Sequence, residues 1–214
     1  MLAKPKLIIF DLDGTLINAY PAIISSLNFT LAKFKLPLQS DHTIRRAVGW
    51  GDDLLLKPFI GKNNLTKALY LYRRHHQKAL LEESFLFPRA KMVLRLLRQR
   101  GFKIAVASNR PSRFSRILIR HLGLKKYFDY VLCADVLKHR KPHPLILQRI
   151  MRHFSVEPKD TLYVGDMNID AQAGRRAGVK TVIVTTGSSD PAEIKKEKPG
   201  FVIKDISALL KLLF

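Results

Sequence analysis

The chain has 214 residues, 47% of them hydrophobic and 26% charged. That composition supports a buried core and excludes a disordered, collagen-like or disulfide-stapled chain. A lone cysteine, Cys133, excludes an intrachain disulfide and fits a reducing, cytoplasmic setting. No apolar run approaches the roughly 20 residues that span a bilayer, and Lys4 and Lys6 accompany only four apolar residues, too few for a signal peptide.

In chain order, Leu7–Phe10 is a short, β-branched apolar run and reads as a buried strand. It runs into Asp11-Leu12-Asp13-Gly14-Thr15. Helical patterns follow over about 21–35, with Asn18 as a candidate N-cap, and then over Asp41–Val48, Asp52–Phe59 and Asn63–Leu81. No strand is predicted between Leu16 and Phe87. From Arg89 the rhythm changes. Strands over Lys103–Ala107, Tyr130–Cys133, Thr161–Val164, Thr181–Thr185 and Phe201–Ile203 alternate with helices over Arg89–Arg100, Ser112–Leu122, Pro144–Phe154, Ile169–Ala177 and Ile206–Leu212. The polar, Pro-bearing stretch Gly187–Gly200 reads as a surface loop. Alternation of this kind predicts an α/β fold: a Rossmann-like parallel sheet with helices on both faces. The all-helical stretch is an inserted second domain. The predicted division is 1–15 with 88–214 for the α/β core and 16–87 for the helical insertion.

Parallel strands deliver their carboxyl ends to one edge, where α/β sheets bind ligands. Four such ends carry polar groups: Asp11 and Asp13, Ser108, Lys141 in the loop after the third core strand, and Asp166 with Asp170. Crowded carboxylates favour a bound cation or a shared proton, and Mg²⁺ suits oxygen ligands of this kind. A lysine and a hydroxyl beside them suit a phosphate ester.

Four stretches, Phe10-Asp11-Leu12-Asp13-Gly14-Thr15-Leu16, Ala107-Ser108-Asn109-Arg110, Lys141-Pro142-His143-Pro144 and Val164-Gly165-Asp166-Met167-Asn168-Ile169-Asp170, occur in this order at strand ends. Together they resemble the haloacid dehalogenase-like hydrolase superfamily, and within it the phosphatases with a helical cap. The resemblance implies that Asp11 attacks phosphorus and forms an aspartyl-phosphate. It implies that Asp13 protonates the leaving alkoxide and then activates water. Ser108 and the amides near Leu12 and Asn109 would hold phosphate oxygens, and Lys141 would neutralise the nucleophile and the transferring group. Mg²⁺ would sit on an oxygen of Asp11, the carbonyl of Asp13, and Asp166. Asp170 would orient Lys141 or a water on the metal.

The 107–111 stretch and the 49–61 region look similar to phosphoglycolate phosphatases. The implied partner is a small phosphorylated metabolite, with phosphoglycolate among the candidates. The enzyme alternatives are a β-phosphoglucomutase-like phosphosugar mutase, which keeps the same aspartates, and a pyrophosphatase. Trp50, between Gly49 and Gly51, reads either as a packed cap residue or as part of a specificity loop, and Arg45 is a second candidate for cap specificity. The fragment Asp-Leu-Asp-Gly is not a calcium loop, because Thr15 and Ala22 stand where further acids belong. His75, His76 and His143 lack structural-zinc spacing and are expected on exposed helix or loop surfaces.

The formal charge is +21, from 38 Lys and Arg against 17 Asp and Glu. The stripes Lys91/Arg95/Arg98 and Arg113/Arg116/Arg120 read as solvated helix faces. A basic nucleic-acid- or protein-binding factor on this fold is the alternative of another class, but no recognised nucleic-acid motif accompanies the charge.

Overall fold

A computed structural model of the protein describes residues 5–214; Lys4 and the start of the predicted core segment lie outside the described residues. The first strand, β1 (Leu7–Phe10), is wholly buried. A two-residue strand β2 (Ile17–Asn18) leads into four helices, α1 (Tyr20–Lys33), α2 (Asp41–Ala47), α3 (Asp52–Ile60) and α4 (Leu65–Glu83). The chain returns through β3 (Phe85–Leu86), which pairs antiparallel with β2. There follow α5 (Ala90–Gln99), β4 (Lys103–Ser108), α6 (Ser112–His121), β5 (Tyr130–Cys133), α7 (Leu145–Phe154), β6 (Thr161–Gly165), α8 (Asn168–Ala177), β7 (Lys180–Val184), α9 (Pro191–Lys196), β8 (Phe201–Ile203) and α10 (Leu209–Leu213). Among the described residues, no helix is long and apolar enough to cross a membrane.

The large sheet has the order β5-β4-β1-β6-β7-β8, and every pair in it is parallel. It is the predicted α/β sheet, with β1 at its centre. Side chains of a strand alternate between faces, and the core divides accordingly. Leu7, Ile9, Ala105, Ala107 and Tyr163 pack with Ile146, Leu147 and Ile150 of α7 and Ala173 of α8. Ile8, Phe10, Ile104, Val106 and Val164 pack on the other face with Val93 and Leu97 of α5 and Phe114 and Leu118 of α6. That second cluster continues without a break into Leu27 and Leu31 of α1, Leu56 of α3 and Leu80 of α4. Fully burying each such side chain stabilises by about 2 kcal/mol, so the helical layer is anchored by the same apolar surface that fills the sheet.

Three local expectations are corrected. The β2–β3 ribbon lies in the stretch where no strand is predicted. Two residues carry no readable period, and only the pairing of Ile17 with Leu86 and of Asn18 with Phe85 makes them strands. The N-cap of α1 is Ala19 rather than Asn18; the Asn18 Oδ1 still accepts from the Tyr20 amide at 3.3 Å, one residue early. The stretch read as a loop contains α9. There Pro191 stands in the first turn, and Asp190 with Glu193 forms a capping box. The proline opens a helix instead of forbidding one.

The basic residues of α5 and α6 are exposed, as their stripes predict.

Candidate active site

Asp11 follows directly on β1, and its amide donates to the Val164 carbonyl at 2.9 Å, so the sheet ladder continues into the site. The chain then turns at Gly14, which has φ of +81° and so occupies a region that favours glycine. A Cβ at Gly14, or at Gly187 on the loop after β7, would collide with the Asp166 carboxylate. Bare backbone therefore flanks that acid on two sides.

Lys141 is 1% exposed. Its Nζ lies 2.9 Å from Asp11 Oδ2 and 2.8 Å from Asp170 Oδ1, and it donates to the Ala107 carbonyl and the Tyr163 hydroxyl, each at 3.1 Å. Three N–H bonds are thus shared among four acceptors. Burial opposes its charge, but Asp11 and Asp170 outweigh burial and hold the ammonium above its ordinary pKa. Both oxygens of Asp170 are committed. Oδ1 takes Lys141 and the Tyr163 hydroxyl at 2.6 Å, while Oδ2 accepts the amides of Asp166 and Met167 at 3.1 and 3.0 Å. Asp170 is thereby tied to the orientation of Lys141 and of the turn into α8.

Asp11, Asp166 and Asp170 each place one oxygen within 4.8 Å of the others, a cluster able to hold a metal ion. The donor set fits a hard cation. Asp11 Oδ1 is buried with no hydrogen-bond partner. Burial, only partly offset by Lys141, lifts Asp11 to about 7. Asp166 is pushed well above the usual carboxylate range by burial and then by Asp170 and Asp11, although Thr15 Oγ1 donates to it at 2.8 Å. Two buried acids that resist ionisation, one with an orphaned oxygen, present what an oxygen-preferring divalent ion satisfies.

Asp13 lies across the site. Arg110 grips it at two points, Nε to Oδ2 at 2.7 Å and Nη2 to Oδ1 at 2.8 Å. Ser108, 2% exposed, accepts the Arg110 amide at 3.1 Å. The Asn109 side chain braces the site: Oδ1 accepts the Lys141 amide at 2.9 Å, and Nδ2 donates to the carbonyls of Gly49 and Lys141.

Asp11, Asp13, Ser108, Asn109 and Arg110 line a cavity of about 50 Å³, room for about four water-sized positions. From the helical layer, Ile23, Val48, Leu55, Tyr72 and His76 close it. Trp50 is not among the lining side chains, although Gly49 and Gly51 on either side of it are. The indole is 37% exposed, and the Trp50 carbonyl accepts from Arg140. Arg45 stacks over the Tyr20 ring at 4.4 Å and faces a separate surface hollow with Ser188 and Glu193.

Arg110, His76, Tyr163 and Gly187 had no place in the sequence-based site. His76 and His75 correct the expectation of exposed histidines: His76 is 1% exposed and His75 is half-buried, with its Nδ1 3.2 Å from Ser26 Oγ, whereas His143 is exposed. The available signal was the spacing Ala68, Tyr72, His76, one buried face of α4.

The family model for haloacid dehalogenase-like hydrolases matches residues 8–184. The phosphoglycolate phosphatase of Haemophilus influenzae is 32% identical over 219 residues, covering 97% of this chain and 98% of that protein. That of Pasteurella multocida is 33% identical with the same coverage. The crystal structure of a predicted phosphoglycolate phosphatase from Haemophilus somnus superposes with a TM-score of 0.95 at 28% identity, covering all of both chains. A predicted phosphatase from Clostridium acetobutylicum shares the fold, with a TM-score of 0.87 at 22% identity and 99% of each chain covered.

Proposed function

The chain belongs to the haloacid dehalogenase-like hydrolase family, and from that premise we propose that it is a Mg²⁺-dependent phosphatase acting in the cytoplasm on a small phosphate monoester. One observation carries the reading: Asp11, at the end of the central strand, has one oxygen on Lys141 and the other free of any partner beside Asp166.

Asp11 attacks phosphorus through a carboxylate oxygen, and the bond from phosphorus to the ester oxygen breaks. Asp13 gives its proton to the leaving alkoxide. Water then attacks the aspartyl-phosphate, Asp13 takes its proton, and the bond between Asp11 and phosphorus breaks to release phosphate. Lys141 balances charge on Asp11 and on the transferring group, held in place by Asp170 and Tyr163. Ser108 and the backbone amides of Leu12 and Asn109 receive phosphate oxygens; the Asn109 side chain is engaged elsewhere. Mg²⁺ would be held by Asp11, Asp166 and the Asp13 carbonyl, and when bound it keeps Asp11 ionised and neutralises charge on the phosphoryl group. Residues 16–87 act as a cap, and the small cavity they close favours a small ester over a large one. Phosphoglycolate, the substrate named for the Haemophilus and Pasteurella relatives, is of that size class.

The test is phosphate release from a panel of phosphoglycolate, hexose phosphates, nucleotides and pyrophosphate with Mg²⁺ and no bisphosphate primer. Phosphoglycolate is expected to lead, with turnover lost on adding a chelator. Asp11→Asn is expected to abolish turnover on every ester; full activity in that variant overturns the nucleophile assignment.

A further inference from the structure

His76 belongs to α4 in the helical layer, yet it reaches a residue that reaches Asp13. Its Nε2 lies 2.8 Å from Arg110 Nη1, the group left over after Arg110 Nε and Nη2 have taken both oxygens of Asp13. Arg110 is 7% exposed and His76 1%, and both line the cavity beside Asp13.

The neighbours of His76 determine where its proton sits. Ser26 Oγ donates to the Ala22 carbonyl at 2.6 Å, which uses its only hydrogen. The contact of 3.0 Å between Ser26 Oγ and His76 Nδ1 therefore needs a proton on the imidazole. Nδ1 carries that proton, leaving Nε2 bare to accept from the guanidinium, which cannot deprotonate. Burial, and then the charge of Arg110, hold the imidazole well below its ordinary pKa, consistent with the neutral form. The ring is also fixed mechanically. Tyr72 stacks on it at 4.9 Å, and Phe114 of α6 meets it edge-on at 5.2 Å.

We propose that His76 is a positioning residue that acts through Arg110: its bare Nε2 aims the guanidinium, and the guanidinium sets the two oxygens of Asp13. The inference rests on Asp13 being the acid and base of the reaction. It adds that the cap supplies part of the alignment of that acid, because α4 brings His76 to Arg110 only when seated on the sheet. Arg110 is also the side chain through which the motif at the end of β4 communicates with the motif at the end of β1. A chemical step that demands an aligned proton donor is then tied to the closed arrangement.

The experiment compares steady-state kinetics of His76→Phe, His76→Gln, Arg110→Lys, Asp13→Asn and the His76→Phe/Arg110→Lys double variant on the best ester of the panel. His76→Phe keeps ring packing and removes the acceptor. It is expected to lower kcat by about 10- to 100-fold, the scale of an ångström of misplacement at a reacting group, with KM changed by less than about threefold. His76→Gln restores an acceptor at the position of Nε2 and is expected to recover most of the loss. Arg110→Lys keeps the charge but not the two-point grip and is expected to match His76→Phe. The double variant is expected to lose little more than Arg110→Lys alone, as members of one chain do.

Unchanged kcat in His76→Phe, a rise in KM alone, or losses that multiply in the double variant each overturn the inference while Asp13→Asn remains inactive. Full turnover in Asp13→Asn overturns the reading beneath it. If circular dichroism shows that His76→Phe does not fold, Arg110→Lys decides: normal kcat there overturns the inference, and loss of kcat with KM retained supports it.

Discussion

The sheet edge and the helical layer above it are built on different terms. At the edge, the charged groups are held from several sides, with Asp11 Oδ1 the one buried carboxylate oxygen left without a partner among the described residues. Lys141 has four acceptors, Asp170 has four donors, and Asp166 is boxed by backbone at Gly14 and Gly187. The layer meets the cavity mostly with apolar side chains from α1, α3 and the 48–51 segment. Its charged ties to the core are at the rim, Arg46 to Glu193 and Asp53 to Arg140, and such exposed pairs are worth little. The groups proposed for the reaction are thus placed on the sheet. The helical layer contributes shape and the buried polar side chains Asp52 and His76.

The largest effect that would break this comparison lies at Lys141. Lys141→Met leaves Asp11 and Asp170 facing each other without their cation. Turnover is expected to fall by about 10³-fold, and unfolding in urea is expected to show a loss of about 3 kcal/mol or more, the cost of orphaning a buried charge. Retained stability would mean that the edge is not as tightly determined as its contacts indicate.

A smaller effect is expected from Gly187→Ala. The new Cβ collides with Asp166, so the carboxylate or the loop after β7 must shift. The Mg²⁺ concentration for half-maximal activity should rise several-fold while KM for the ester changes less, with about 1–3 kcal/mol lost to overpacking. An unchanged Mg²⁺ requirement would detach Asp166 from the metal.

The smallest concerns pH and sharpens the role of the layer. His76 has a folded-state pKa depressed below the ordinary value of about 6.5. Its contribution to stability is therefore fully present above about pH 6.5 and is lost as pH falls toward the folded value. There the unfolded chain binds a proton that the native state refuses, at up to about 1.4 kcal/mol per pH unit. Urea titrations at pH 7.5 and 5.0 should show the native chain losing about 1–2 kcal/mol more than His76→Gln over that interval. Comparing the two proteins removes the opposite trend of Asp11, whose raised pKa favours the acid side. Equal losses would place the proton elsewhere.

Much of the fold and half of the site could be read in advance. Short apolar runs alternating with helical patterns marked the six strands of the large sheet, and the parallel rule placed Asp11, Ser108, Lys141 and Asp166 along one edge. Two-residue strands and a proline-led helix escaped because neither has a period of its own; β2 exists only against β3, and α9 only through its cap. Trp50 drew attention as the lone tryptophan, yet composition carries no direction: the cavity is lined by its glycine neighbours.

By itself, the sequence determined which acids gather at the sheet edge, because side chains at a strand end inherit their place from the strand. It also determined the sheet and the helical insertion, because hydrophobic period is a local property. Only the tertiary structure decided the partners. Residue 76 meets residue 110, 110 meets 13, and residues 14 and 187 make room for 166. Such contacts join segments far apart in the chain. They depend on tautomer, rotamer and close approach of backbone, none of which is written in spacing along one strand or helix.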